Sequence, residues 1–585
     1  MGTPKGDCRY PAICRAVRRL GYLVPYCHRD RICLNRLRVG LSPKRSFDSE
    51  VLKMLLFSCG LLILTVGYFV YGRFVEKILS PDDRETPAVK YRDGVDFIVL
   101  PHWKNMLIQL LNIAGVGPVI GVIAGIKFGA IVFLIIPIGN IIGGATHDFV
   151  SGMASLRNRG TNLPNFVRMT LGTPFFHFFS FFMTFLLLLV VAVFINIPAN
   201  LIDGVFFPKT SCFWIAVTLI FLYYIVATMF PVDKIIGSLY PIFGALLLIG
   251  SAALMVSLFV SGVKDPALFQ ESASFMELKK GFLANNPIIP CLFVTIACGI
   301  LSGFHATQSP IIARTMKSER QARSSFYGMM VVEGLIAMVW AAGALAIYNI
   351  SPDWWQQAPA KVLPAITTRF LGKGLGATTV VAVIILAITS GDTAMRSLRL
   401  SIAETFKMDQ KPFLNRFLIC LPLIAIVALL LLWSNQDAAS FGKLWNYFAW
   451  GNQTLAVFTL GGCCVWLYAQ KKQGWIAAVP GAFMTFIVLT FILWTSAQHN
   501  NPVGLGSVIS STYLWITGAN EEFELTGNGL SLSQSCFFSA FLAVVYMWWC
   551  VRRGIAFSKK PDVRMDDSEP ANETVAEQKS EKVEG

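Results

Sequence analysis

The most constraining feature of this chain is a series of apolar segments, each about 18–25 residues long, that recurs from residue 54 to residue 551. A helix of about 20 residues crosses the hydrocarbon core of a bilayer, whereas barrel strands would alternate in polarity over about ten residues. Only 14% of the residues are charged and the mean hydropathy is +0.58, whereas soluble proteins carry about 25% charged residues. We therefore predict an all-α, polytopic integral membrane protein that contacts the lipid bilayer.

The segments predict about thirteen transmembrane helices. The first segment is short, and the second is interrupted by glycine and proline. The predicted spans are residues 54–72, 105–126, 130–155, 170–195, 212–230, 237–261, 287–309, 325–349, 377–395, 413–433, 447–467, 474–496 and 533–551.

The charges between the spans predict their orientation. The loop 497–532 contains three glutamates (Glu521, Glu522 and Glu524) and no lysine or arginine. The tail after residue 551 begins with four basic residues, which are Arg552, Arg553, Lys559 and Lys560. Because cytoplasmic loops are enriched in lysine and arginine, we expect a cytoplasmic C-terminus. Five basic loops then share that side: Lys471-Lys472, Arg396 to Lys411, Arg314 to Arg323, Arg157 to Arg168 and Arg73 to Lys104.

The N-terminal segment 1–53 does not follow this rule. It contributes +8 of the net charge of +15, yet the same count places it outside. It also lacks the apolar region of a signal peptide. One interpretation is a misassigned upstream extension, with translation starting at Met54, and the other is a disordered basic arm combined with a misplaced first span. The remaining positive charge lies in short loops, which argues against a nucleic acid partner.

Two of the predicted spans are broken in similar ways. The second contains Gly115, Gly117 and Pro118, and the seventh contains Ser302 and Gly303. Transporters use such interruptions at mid-membrane to expose backbone groups to a substrate or ion. The breaks are five spans apart, so we predict a transporter core at 105–467 built of two inverted repeats, at about 105–261 and 287–467. The alternative is that these glycines only allow close helix packing.

The core is flanked by other predicted segments. Residues 54–104 are expected to form a leading helix and a cytoplasmic loop, and residues 474–551 two trailing helices. The polar tail, 552–585, is expected to be a disordered cytoplasmic segment.

Ionisable residues inside spans cost free energy to bury in the membrane, and their presence suggests a function. His147 and Asp148 lie about eight residues from the predicted cytoplasmic end, so roughly 12 Å deep at about 1.5 Å per residue. As sequence neighbours on a helix they need not pair with each other. We predict that they couple transport to an ion, although a structural hydrogen bond between helices is the alternative. Glu333 lies at similar depth and either shares a vestibule with Asp148 or pairs with Arg323 or Arg314.

Other polar residues are weaker candidates. His305 follows the second break and is expected to line the transport path. Asp392 and Arg396 are four residues apart and meet on one helix face, either as an ion pair or as a pair that a substrate carboxylate opens. Asn452 and Gln453 add uncharged hydrogen-bonding groups in span 11. One further histidine, His177, is expected to be a core residue among phenylalanines.

Enzyme and metal signatures are missing from the sequence. There is no G-x-S-x-G, H-E-x-x-H or Walker A motif, and the thirteen cysteines form no C-x₂-C or His/Cys cluster typical of zinc. We therefore predict no enzymatic activity, metal or cofactor. Without an ATP-binding domain, active transport must draw on an ion gradient. The alternatives are a passive channel, or a membrane sensor that signals through a partner.

Several motifs together resemble the carbon starvation protein A (CstA) family. They are Thr86-Pro87-Ala88 with Asp93-Gly94, residues 113–118 (IAGVGP), residues 144–149 (GATHDF), residues 302–306 (SGFHA), residues 389–396 (TSGDTAMR), and Gly451-Asn452-Gln453 with Leu455-Ala456. The resemblance implies an inner-membrane transporter associated with nutrient limitation that takes up peptides or pyruvate, in a family placed near the amino acid–polyamine–organocation transporters. The chain looks shorter at its C-terminal end than the long members, and residues 1–53 match nothing in the family.

These observations combine into one expected function. We expect uptake of a small carboxylate-bearing nutrient, either short peptides or pyruvate, coupled to H⁺ or Na⁺. The site is expected between the two breaks, with His147 and Asp148 in the coupling role and Glu333 as the second candidate. Arg396 is the candidate for a substrate carboxylate. The sequence does not predict an oligomeric state.

Overall fold

The computed structural model describes residues 47–92, 97–207, 209–229, 236–406, 408, 413–436, 438–496, 503–517 and 529–559. Within these ranges all regular structure is helical, which confirms the all-α prediction. Several predictions fall outside the described residues: the segment 1–46, the motif residues Asp93-Gly94, the acidic stretch 521–528 and the tail 560–585.

We number seventeen of the helices in the described part of the chain. They are α1 Phe47–Leu79, α2 His102–Ile113, α3 Gly117–Phe128, α4 Val132–Arg157, α5 Leu163–Leu171, α6 Thr173–Phe206, α7 Phe213–Met229, α8 Ile236–Lys264, α9 Ala273–Asn285, α10 Gly303–Ala313, α11 Glu319–Ile350, α12 Pro359–Thr405, α13 Phe413–Ser434, α14 Ala438–Ala469, α15 Trp475–Trp494, α16 Leu505–Ile516 and α17 Leu532–Ser558. Residues 288–300 form short helical turns that precede α10.

Each of the thirteen predicted spans falls on helical structure, but the count of thirteen is not confirmed. By length and apolar composition, nine of the described helices can cross a membrane, or ten if α2 and α3 form one bent span. The predicted span 212–230 corresponds to α7, which is shorter. The predicted span 447–467 lies in α14, where Asn452 and Gln453 lower the apolar content. The chain is therefore a multi-pass membrane protein.

The helices differ in how deeply they are enclosed. In the apolar stretch of α11, 89% of the residues are buried, and in that of α6, 78%. The corresponding shares are 22% for α1 and 28% for α17. The outer helices expose large apolar side chains, such as Val70 on α1 and Phe537 on α17. Such surfaces are stable against lipid, so α6 and α11 form the interior and α1 and α17 the periphery.

Described residues between α1 and α2 bond to the linker between α10 and α11. The Thr86 hydroxyl donates to the carbonyl of Met316 at 2.6 Å, and the Ile98 amide donates to the carbonyl of Arg314 at 3.2 Å. Below them, Arg157 Nη2 lies 3.0 Å from Glu319 Oε2 in a buried ion pair. These contacts hold the ends of α4 and α10 and the start of α11 together, and so fix the depth at which their inner residues lie.

Candidate functional site

The two predicted helix breaks are present in the structure. The first separates α2 from α3, whose axes differ by 55°. The second lies at Leu301 and Ser302, whose backbones are extended (φ −170°, ψ 119° and φ −129°, ψ 120°). A Cβ atom on Gly117 would lie 2.2 Å from Cys298 Sγ, so the two breaks are in contact. Only glycine permits this approach.

The start of α10 is held by α14. A Cβ on Gly303 would lie 2.3 Å from the backbone nitrogen of Ala456, so the two helices touch through their backbones. The Phe304 amide donates to Asn452 Oδ1 at 2.8 Å, and the Asn452 amide donates to Ser302 Oγ at 3.0 Å. Asn452 thus satisfies an otherwise unpaired N–H at the first turn of α10, from a distant part of the chain.

Four ionisable side chains form a continuous chain beside the second break. His147 Nδ1 lies 2.8 Å from Asp148 Oδ1, and Asp148 Oδ2 lies 2.9 Å from His305 Nδ1. The other nitrogen of His305 lies 3.6 Å from Glu333 Oε2. The four residues come from α4, α10 and α11, and we refer to them as the ionisable chain. Asp148 therefore bridges two imidazoles, and His305 stands between two carboxyl groups.

The ionisable chain is fully enclosed. All four side chains are 0% exposed. Among the described residues, His147 Nε2, His305 Nε2 and both Glu333 oxygens have no hydrogen-bond partner. The backbone of Ile113, at the end of α2, also contributes to the environment of the His305 ring, so the ionisable chain lies next to both breaks. A buried carboxyl group without a partner is stabilised by taking up a proton or a cation.

A sequence model of the family described as "Carbon starvation protein CstA" matches residues 52–229, 209–370 and 355–491. The chain belongs to the carbon starvation protein CstA family. The family resemblance in the sequence is thereby confirmed, and the ionisable chain lies within the matched ranges.

Individual relatives agree with this assignment. An "Uncharacterized membrane protein" of Haemophilus influenzae is 39% identical over 352 residues, which cover 52% of this chain and 94% of that protein. The "Peptide transporter CstA" of Escherichia coli K12 is 23% identical over an alignment of 652 residues, gaps included. The alignment covers 88% of this chain and 93% of the relative. Its name describes a transporter and not an enzyme, which supports a membrane transporter without enzymatic activity.

One solved structure shows a weak similarity to this chain. The manganese transporter of Eremococcus coleocola, crystallised with an aromatic bis-isothiourea substituted compound, covers 80% of this chain and 98% of its own length, with a TM-score of 0.47 and 15% identity. A likeness this low supports no inference about the substrate. Within the part of the CstA-family chain that the structure describes, no group of three or more His, Cys, Asp or Glu residues is arranged to hold a metal ion.

The CstA-family motifs meet in space although they are far apart in sequence. His147 and Asp148 belong to the GATHDF stretch, His305 to SGFHA, and Asn452 to the stretch around α14. The structure brings the first two stretches together in the ionisable chain and uses the third to cap α10. The neighbouring Gln453 donates to the carbonyl of Phe293, and so holds the turns that precede the second break.

The structure decides two points that the sequence left open. His147 and Asp148, which need not pair as neighbours on a helix, do pair, with His147 Nδ1 2.8 Å from Asp148 Oδ1. The partner of Glu333 is His305; Arg323 instead lies 3.1 Å from Glu76, and Arg314 donates to the Gly160 carbonyl at 3.0 Å.

One expectation from the sequence is wrong, and it concerns His177. It is exposed on the outer face of α6, beside Phe178, which is 55% exposed. Phe179 is fully buried, so the first turns of α6 have an outer and an inner face. His177 lies on the outer face and is not a core residue.

The Asp392 and Arg396 pair lies elsewhere, between α7 and α12. The buried Asp392 carboxyl group faces Tyr223 and Arg396, and Arg396 Nη2 donates to the carbonyl of Ala227 at 2.8 Å. The structure thus places both residues inside the protein, but not in the ionisable chain.

Four buried amides were not predicted from the sequence. Asn140 on α4 donates to the carbonyls of Gly299 and Met330, at 3.1 and 2.9 Å, and so ties the second break to α11. Gln109, Asn112 and Gln308 are buried next to the breaks. Positions 105, 109 and 112 repeat at spacings of four and three, which places them on one helix face. That polar stripe in an apolar segment was the signal that could have revealed Gln109 and Asn112.

Proposed function

We propose that this chain is a secondary active transporter that takes up a small carboxylate-bearing nutrient, either short peptides or pyruvate, across the inner membrane during carbon starvation. Uptake is coupled to an ion gradient through His147, Asp148, His305 and Glu333, and the C-terminus is cytoplasmic. The observation that supports this proposal is the enclosed ionisable chain at the contact of two broken helices. Buried ionisable groups beside broken helices are the arrangement in which ion-coupled transporters bind their ions.

The proton is the favoured coupling ion. Two of the four groups are imidazoles, which exchange protons near neutral pH, whereas hard cations prefer oxygen ligands. His305 is positioned between Asp148 and Glu333, at 2.9 and 3.6 Å. A small movement of α10 relative to α4 and α11 would exchange one carboxyl partner for the other. In this mechanism, proton uptake at one carboxyl group and release from the other accompany the change of access.

The position of the substrate follows from the breaks. The breaks at Ala114 and at Leu301–Ser302 lie beside the ionisable chain, so a substrate bound between them would sense the protonation of that chain. Arg396 is proposed to receive the substrate carboxylate when its contact with Asp392 opens, since guanidinium binds carboxylates bidentately. Relatives named as peptide transporters favour peptides among the candidate substrates.

The test is uptake by the full chain in proteoliposomes. Labelled dialanine and labelled pyruvate are supplied separately, under an imposed pH gradient or an imposed sodium gradient, with the membrane potential clamped. We expect the pH gradient to drive accumulation above the external concentration. Equilibration without accumulation would indicate a passive channel, and binding without flux would indicate a sensor; either result would contradict the proposal.

A further inference from the structure

A small cavity lies between α4, α5 and α10, next to the ionisable chain. Ser151 and Ser155 on α4 line one wall of it, and Ala306 on α10 lines another. Ser151 follows Asp148 by three residues, which is about one helical turn, and Ala306 follows His305 directly. The cavity therefore adjoins the contact between Asp148 and His305.

The third wall of the cavity lies at the end of the bundle where α4 ends. Thr161 stands between α4 and α5, and Leu163 and Phe166 belong to the first turns of α5. The end of α17 lies on the same side, because Arg553 Nε donates to the carbonyl of Thr170 in α5 at 2.6 Å. Since the C-terminus is proposed to be cytoplasmic, the cavity lies on the cytoplasmic side of the ionisable chain.

The cavity has room for about one water molecule. The space open to the centre of a water molecule is about 10 Å³, which is close to what one water needs. Ser151 and Ser155 are four residues apart on one face of α4, so their side chains are about 6 Å apart. One water with two hydrogen bonds of about 2.8 Å spans that gap.

The two serine hydroxyls offer acceptors to such a water. Ser151 Oγ donates to the carbonyl of Asp148 at 3.3 Å, and Ser155 Oγ donates to the carbonyl of Thr161 at 3.0 Å. Each hydroxyl hydrogen is thereby occupied, and the lone pairs of each oxygen remain for a donor in the cavity. The first serine thus leads toward the ionisable chain, and the second leads toward the loop between α4 and α5.

A third acceptor comes from α10. Pro310 also lines the cavity, and it has no N–H to donate to the carbonyl of Ala306, which would be its partner in a regular helix. That carbonyl and the two serine oxygens make three acceptors at the cavity. A water molecule that carries an extra proton donates three hydrogen bonds, so the cavity suits a proton in transit.

The charged groups at this end of α4 have partners of their own. Arg157 Nη2 lies 3.0 Å from Glu319 Oε2, and Arg314 Nε donates to the carbonyl of Gly160 at 3.0 Å. Among the described residues that line the cavity, none is charged. The ionisable chain, with its two carboxyl groups, flanks the other side.

We propose that this cavity holds the water through which the coupling proton leaves for the cytoplasm, with Ser151 and Ser155 as the residues that position it. This inference rests on the proposed transport function. A proton leaves the ionisable chain at Asp148 and binds to the water oxygen, and the water passes one of its protons to water at the cytoplasmic face. The water in the cavity is regenerated, and the ionisable chain is left with one proton fewer, ready for the next cycle.

The experiment measures two fluxes in proteoliposomes that contain the full chain and a pH-sensitive dye. A pH gradient drives uptake of labelled dialanine or labelled pyruvate, and the dye reports the protons that enter with the substrate. One variant combines Ser151→Ala with Ser155→Ala and removes both hydroxyls, and a second, Ser155→Val, also fills the cavity. The matched control is Ser251→Ala on α8, a buried serine whose hydroxyl has no partner among the described residues.

We expect both variants to slow gradient-driven uptake and acidification together by about tenfold, as the loss of one hydrogen bond from the transfer step would. Exchange of labelled for unlabelled substrate at equal pH should continue at nearly the wild-type rate, because it requires no net proton transfer. Thermal unfolding should stay close to that of the wild type, and the control should match the wild type in every measurement.

Two results would overturn the inference while leaving the transport proposal intact. One is gradient-driven uptake at the wild-type rate in both variants. The other is an equal loss of exchange and of gradient-driven uptake, which would show that the serines act on the substrate and not on the proton. If the wild-type chain itself accumulates no substrate under a pH gradient, the transport proposal fails and this inference fails with it.

Discussion

Replacement of Asp148 by asparagine tests the centre of the coupling proposal. The carboxylate accepts contacts from two imidazoles, at 2.8 and 2.9 Å, and is fully buried. Asparagine has nearly the same shape but keeps only one oxygen, so one imidazole nitrogen faces an amide N–H in place of an acceptor. A hydrogen bond to a charged group contributes about 1.5–3 kcal/mol, so we expect Asp148→Asn to destabilise the protein by about that amount without unfolding it.

The functional effect should be specific to coupling. Asp148→Asn cannot release a proton at this position, so we expect pH-gradient-driven uptake in proteoliposomes to fall at least about tenfold. Exchange of labelled for unlabelled substrate at equal pH should persist, because it requires no net proton transfer. The matched control is Asp353→Asn, which removes an exposed carboxylate from the segment between α11 and α12. Gradient-driven uptake at the wild-type rate in Asp148→Asn would refute the coupling role, even if the variant were less stable.

Three further predictions concern the contact between α10 and α14 and the buried ion pair of Glu319. Gly303→Ala should prevent accumulation of folded protein, because the added Cβ would lie 2.3 Å from a backbone nitrogen of α14. The control Gly204→Ala places its Cβ with nothing within 4 Å and should express like the wild type. Detergent size-exclusion chromatography would distinguish the two variants. Asn452→Ala should lower unfolding stability by about 1 kcal/mol because α10 loses its cap, and an unchanged unfolding curve would contradict that role. Glu319→Gln should cost about 3–5 kcal/mol by leaving the buried guanidinium of Arg157 without its countercharge, whereas Asp83→Asn, in an exposed pair, should leave thermal unfolding nearly unchanged.

Much of the fold was predictable because membrane insertion acts on local composition. An apolar stretch of sufficient length must be helical in lipid, whatever its neighbours, so every predicted span falls on helical structure. The positions of the breaks were predictable for the same reason, since Gly117, Pro118 and Gly303 interrupt their segments directly. The number of spanning helices was less predictable, because polar positions in α14 and the shortness of α7 blur the boundary between spanning and buried helices.

The membership of the site was only partly predictable. His147, Asp148, His305 and Glu333 stood out as ionisable residues in apolar segments. Gln109, Asn112 and Gln308 did not, because a neutral amide carries no charge and ionisable residues were the ones taken to indicate function. Their unused hydrogen-bonding atoms appear only when the surrounding helices are in place.

The sequence by itself determined which segments enter the membrane, where two of them break and which side chains cost the most free energy to bury. Only the tertiary structure decided which of those side chains meet. Asp148 and His305 are 157 residues apart, and Ser302 and Asn452 are 150 apart. Their pairing depends on which helix faces are in contact, and that is set by the packing of the whole bundle. The same packing separates Asp392 and Arg396 from the ionisable chain, although the sequence offered all of them as site residues.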